Sequence, residues 1–117
     1  MFQNYCVNKA EFVEDNRIVY TTVYKKDLEK YKAGEDYTDG IAETLRAIDT
    51  TEVAFVLKEV DTKLTKVSMR SKSIDVAKIC EEFGGGGHTY AAGCTIKASV
   101  NDSIDKILKE ISREIEK

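Results

Sequence analysis

Apolar positions along this chain follow both periods that regular structure imposes, two for strands and 3.6 for helices. Near the start, Tyr5 to Val13 and Arg17 to Val23 are rich in β-favouring residues. They flank Glu14-Asp15-Asn16, a triplet of turn composition, and the pattern predicts a hairpin. Lys25 to Tyr31 is a short helical candidate closed by Ala33-Gly34. Thr38 or Asp39 is suited to cap a helix whose apolar stripe is Ile41, Leu45 and Ile48. The unbroken apolar run Val53-Ala54-Phe55-Val56-Leu57 fits a strand buried on both faces. After a turn at Asp61-Thr62-Lys63, Leu64 to Arg70 alternates. Val67 and Met69 point one way, and Ser68 and Arg70 the other.

Asp75 caps the next predicted helix, with Val76, Ile79, Cys80 and Phe83 on one face. Gly84 falls where a helix C-terminus favours glycine. Beyond the glycine run, His88 to Ala92 predicts one helical turn and Cys94-Thr95-Ile96 a short strand. Asn101 opens a final helix with Ile104, Ile107, Leu108, Ile111 and Ile115 at helical spacing, and Asp102 and Asp105 near its start complement the helix dipole. The expected fold is therefore α+β, a mixed β-sheet flanked by helices, with residues 1–117 forming one domain.

Composition narrows the function classes. The chain has 117 residues, 42% of them hydrophobic and 33% charged, as in a soluble globular domain. No apolar run is long enough to cross a bilayer, and Met1-Phe2-Gln3-Asn4 has no signal-peptide character, so no membrane partner and a cytoplasmic location are expected. Cys6, Cys80 and Cys94 are odd in number and widely spaced, which argues against a disulfide framework or a zinc knuckle. His88 is the only histidine, and no HxxxH, DHH or DxD cluster occurs, so a self-sufficient metal hydrolase is not expected. A net charge of −3 disfavours a broad polyanion-binding face and makes any anion site local.

The chemistry-bearing candidate is Gly84-Gly85-Gly86-Gly87-His88. One glycine at a helix end is a cap, but four in succession need a further reason, because glycine loses the most conformational freedom on folding. Glycines admit positive φ and close approach, and a loop of unobstructed N–H groups is a phosphate cradle. His88 would add a hydrogen bond to an anion held there. The second candidate is Ser68-Met69-Arg70-Ser71-Lys72-Ser73. There Arg70 has the shape for a two-pronged grip on phosphate, and Lys72 and the hydroxyls of Ser71 and Ser73 add donors. A helix of about nine residues, roughly 13 Å long, separates the two segments. Strand and loop must return to the same edge of the sheet if both are to touch one ligand. The plain alternatives are a flexible glycine loop, a surface histidine and a solvated arginine. Cys80 and Cys94 fit small core residues. Tyr90 suits either stacking on a base or packing on the final helix.

The ordered set Ser68-Met69-Arg70-Ser71-Lys72, Ile74-Asp75-Val76-Ala77, Phe83-Gly84-Gly85-Gly86-Gly87-His88 and Ala91-Ala92-Gly93 resembles the C-terminal, DHH-associated domain of the DHH-family phosphoesterases. Within it the likeness is to the oligoribonuclease (nanoRNase) and 3′-phosphoadenosine 5′-phosphate phosphatase group. The resemblance implies a division of labour. An N-terminal DHH domain of the same protein holds two divalent metals, usually manganese, which generate the attacking hydroxide. The C-terminal domain grips a short RNA or nucleotide substrate. Carried over residue by residue, the substrate site is Arg70, Ser71, Gly84, Gly85, Gly86, Gly87 and His88, with no catalytic or metal-binding residue in this chain. The missing Asp-His-His motif makes the expectation a substrate-binding domain without its catalytic partner, inactive alone, with a homodimer of the full-length protein as an assembly the resemblance allows. Two alternatives share the domain: a nucleic-acid-binding appendage as in alanyl-tRNA synthetases, and the substrate domain of a cyclic-dinucleotide phosphodiesterase.

Overall fold

A computed structural model of the chain describes residues 2–27 and 37–115. The elements are α1 (Phe2–Asn8), β1 (Glu11–Val13), β2 (Ile18–Val23), α2 (Tyr37–Arg46), β3 (Val53–Asp61), β4 (Leu64–Ser71), α3 (Val76–Glu81), β5 (Gly86–His88), β6 (Ala91–Ile96) and α4 (Val100–Ile115). Six strands form one sheet in the order β1-β2-β3-β4-β6-β5. Only β2 and β3 run parallel, joined by the crossover that contains α2, and every other pair is antiparallel. The fold is α+β, with a mixed sheet and helices on both of its faces.

The apolar run at Val53 to Leu57 is the centre of the molecule. All five residues are buried, and alternate side chains enter opposite layers. Val53, Phe55 and Leu57 join Val67 and Met69 of β4 under α3 and α4, whose Val76, Ile79, Ile107 and Ile111 complete one layer. Ala54 and Val56 join Val19 and Val23 under α1 and α2, with Cys6, Ile41, Ala42 and Leu45. The alternation read in β4 holds: Val67 and Met69 are inside, and Arg70 lies on the opposite face.

Local chemistry sets the element ends. Glu14, Asp15 and Asn16 take positive φ (52°, 57° and 67°) and turn β1 into β2. Asp75 caps α3 by accepting the Lys78 N–H at 3.1 Å. The Ser99 hydroxyl accepts the Asp102 N–H at 3.1 Å, so α4 begins at Val100, one residue before the expected Asn101. Thr38 and Asp39 lie inside the first turn of α2 rather than at its cap.

Two expectations change, and a third is covered only in part. Tyr5 to Val13 is not one strand: residues 2–8 are helical and only Glu11–Val13 pairs with β2. The helix seats Cys6 in the core, and its carbonyl accepts the Thr21 hydroxyl at 2.7 Å. Residues 25–27 are helical, while the remainder of the Lys25 to Tyr31 candidate lies outside the described residues. His88 to Ala92 is not a helical turn. It is the reversal between β5 and β6, with Thr89 and Tyr90 at its tip, and β6 begins at Ala91 rather than Cys94. Among the described residues no helix is long and apolar enough to cross a membrane.

Candidate functional site

Helix α2 lies across β2, β3 and β4 but does not extend over β6 and β5. Among the described residues one end of that sheet face is consequently bare, and it forms the floor of a cleft of about 640 Å³. Pairing registers arrange the floor in rows. Ser68 faces Gly93, which faces Gly86; Arg70 faces Ala91, which faces His88; Lys66 faces Thr95. The middle row carries almost no side chain. Arg70 and His88 stand two strands apart, about 10 Å between backbones, with only the methyl group of Ala91 between them. Lys66, Arg70 and His88 thus surround a flat patch of exposed backbone, and all three line the cleft. Ser68 belongs to the same face of β4 and also lines it. The alternation of this strand already placed Ser68 beside Arg70, but no motif drew attention to Lys66, Thr95 or Asp39.

The structure brings the two predicted segments together, because β4 and β5 both border β6. It also reassigns several members. Ser71 is buried, and its hydroxyl donates to the Ile74 carbonyl at the entry to α3; it does not line the cleft. Lys72 donates to the Ile48 carbonyl at 2.8 Å, and the Ser73 hydroxyl to Glu52 at 3.2 Å, so both tie the end of β4 to the segment before β3. Tyr90 is half-exposed at the tip of the β5–β6 turn.

The glycine run is not an open loop of free donors. Gly84 and Gly85 close the end of α3, their N–H groups donating to the carbonyls of Glu81 (3.0 Å) and Cys80 (2.9 Å), while Gly86 and Gly87 belong to the edge strand β5. Each glycine has its own reason. Gly84 has φ +80°. A Cβ on Gly85 would fall 2.3 Å from the Gly93 carbonyl oxygen, and one on Gly87 would fall 2.7 Å from that of Ala91. Gly86 alone in the run has neither a positive φ nor a neighbour within 4 Å of the site of a Cβ. The fold leaves that space open, and it opens onto the cleft floor.

Beneath the floor lie Cys80 and Cys94, both buried and free. A hydrogen bond between the two thiols, then burial, raises the Cys80 pKa. Among the described residues no group of three or more His, Cys, Asp or Glu side chains converges as metal ligands would. What the cleft offers is cations, hydroxyl groups and bare backbone, a donor set that suits an anion.

Comparison with known proteins agrees with this architecture. An exopolyphosphatase-related protein from Bacteroides fragilis superposes with a TM-score of 0.86 at 19% identity, over 96% of this chain and 33% of that one. A pGpG-specific phosphodiesterase from Vibrio cholerae superposes with a TM-score of 0.61 at 14% identity, over 95% of this chain and 38% of that one. The C-Ala domain of Aquifex aeolicus alanyl-tRNA synthetase superposes with a TM-score of 0.63 at 16% identity, over 89% of this chain and 98% of that one. The chain spans about a third of the length of the first two proteins. At these identities the likeness is one of fold. The sequence match goes further: residues 15–117 fit the DHHA1 domain model, so the chain belongs to the DHHA1 domain family, the DHH-associated domain that its ordered motifs resemble.

Proposed function

We propose that this domain grips the phosphate of a short oligoribonucleotide or nucleotide phosphate on behalf of a DHH catalytic domain of the same protein, which supplies the metals that cleave the ester. The observation that carries this reading is the row Arg70–Ala91–His88 on the bare end of the sheet, beside the row Ser68–Gly93–Gly86, which carries only one small side chain. Arg70 and His88, two strands apart and about 10 Å between backbones, leave room for a phosphate with part of its nucleoside. Bare backbone at Gly93 and Gly86 in the next row lets a flat group approach closely. Local cations suit a ligand of one or a few phosphates, whereas a net charge of −3 opposes long structured RNA. Holding the phosphate still is itself a catalytic contribution, because it replaces a collision by a fixed geometry.

Titration of the 117-residue chain with the 5′-phosphorylated diadenylate pApA, followed by NMR shifts, tests the reading. Arg70→Ala combined with His88→Ala is expected to weaken binding by roughly tenfold or more, the scale of lost hydrogen bonds to a charged group. Equal affinity of wild type and the double variant overturns the site. Gel shifts with a structured RNA in place of pApA separate this reading from a tRNA-binding appendage, since the appendage requires the larger ligand to bind better.

A further inference from the structure

Arg70 is held by three partners. Its Nε donates to Glu43 Oε1 at 2.6 Å, its Nη1 to the Met69 carbonyl at 2.8 Å, and its Nη2 faces Asp39 Oδ1 at 3.2 Å. The three grips differ in kind. Met69 is part of the same strand. Glu43 sits in the middle of α2, and its second oxygen holds Arg46. Asp39 lies one turn earlier on the same helix face, its side chain is 65% exposed, and it borders the cleft. The arginine itself is only 13% exposed. Nε and Nη1 are thus held by Glu43 and the strand's own backbone, while Nη2 is covered by a carboxylate that is mostly in water.

We propose that Asp39 occupies the place of the incoming phosphate, a counter-ion within the chain that a phosphate must displace from Arg70, with Glu43 as the positioning residue that keeps Arg70 aimed. This rests on the phosphate-gripping role proposed above. Asp39 carries one negative charge. A diester phosphate also carries one, so exchanging it for Asp39 on Arg70 gains little. A terminal monoester carries about 1.5 to 2 charges at neutral pH and three acceptor oxygens, so the exchange runs in its favour. The displaced Asp39 needs no new partner, because it already lies largely in solvent.

The test uses the 117-residue chain and two probes, pApA and ApA, which differ only in the 5′-phosphate. Wild type is expected to prefer pApA. Asp39→Asn is expected to tighten both probes alike, by up to about fivefold, the range of exposed ion pairs, because either phosphate displaces the same carboxylate. In an Arg70→Ala background the Asp39→Asn change is expected to alter neither probe, since the two residues act as a unit. No tightening in Asp39→Asn overturns the proposal, as does tightening that persists without Arg70, which would mark general charge repulsion. Failure of the phosphate-gripping reading is separately visible: wild type and Arg70→Ala then bind pApA alike, and this proposal falls with it. The role of Glu43 is read without ligand. The Arg70 Nε–H resonance is expected to be sharp and slowly exchanging in wild type and to vanish in Glu43→Gln, and its persistence there would remove Glu43 from the scheme.

Discussion

At the scale of single residues, the glycine run divides into positions the fold demands and one it does not. Gly85 and Gly87 sit where a Cβ would collide with the backbone of β6, and Gly84 holds a left-handed φ. Gly85→Ala is therefore expected to destabilise by about 1–3 kcal/mol or more, as overpacking does. Gly86→Ala is expected to stay within about 1 kcal/mol of wild type, because alanine suits a strand better than glycine, yet to weaken pApA binding severalfold by raising a methyl group from the cleft floor. Paired thermal melts and titrations check both, and a Gly86→Ala protein that binds normally would show that the floor is not approached closely. The importance of this run was legible in the sequence, but the division of labour within it was not. It depends on Gly93 and Ala91 lying across the strand gap. Arg70 is similar: alternation put it on the outer face, whereas its counter-ions Asp39 and Glu43 come from a helix 27 residues or more upstream, a distance no local pattern spans.

Elements were read best where one tertiary environment agreed with local preference. The run at Val53, the alternation of β4, the Asp75 cap and the stripe of α4 all follow from residues next to one another. Two readings failed where packing overrode preference. Tyr5, Cys6 and Val7 favour strands intrinsically, but a helix there lets Cys6 enter the layer beneath α2. Ala91 and Ala92 favour helix, but pairing with β4 on one side and β5 on the other makes them a strand inside the sheet. Helix α3 matters beyond its six residues, because it fixes where β5 begins relative to β4. Replacing its cap by Asp75→Ala is expected to cost about 1 kcal/mol and to lower the thermal midpoint by about 4 °C. If the melt is unchanged, the Asp75–Lys78 hydrogen bond is not what starts this helix.

At the scale of the whole molecule, two apolar layers enclose one sheet, and the layer under α1 and α2 stops short of β6 and β5. That layer contains Cys6, whose thiol pKa burial pushes up to about 11, with the Lys9 ammonium opposing weakly. The thiol is neutral in the folded protein. Its contribution is complete below the ordinary thiol range and is lost as pH climbs through about 11. Burial raises the Tyr20 pKa in the same direction. Urea denaturation from pH 8 upward is expected to show stability falling by about 2–3 kcal/mol on the way to pH 11. Cys6→Ala should flatten that slope, and an identical slope in the variant would place the alkaline sensitivity elsewhere.

The row pattern of β4 and β6 also bears on how such a domain can change its ligand. In β4, Val67 and Met69 build the core while Lys66, Ser68 and Arg70 face outward; in β6, Ala92 and Cys94 are buried while Ala91, Gly93 and Thr95 lie on the floor. Folding and recognition therefore read alternate letters of the same two strands. Gly93 excepted, where a Cβ would come 3.1 Å from the Val67 carbonyl oxygen, exchanges at the outward letters can accumulate without disturbing the core, so what the face recognises can drift while the scaffold stays constant.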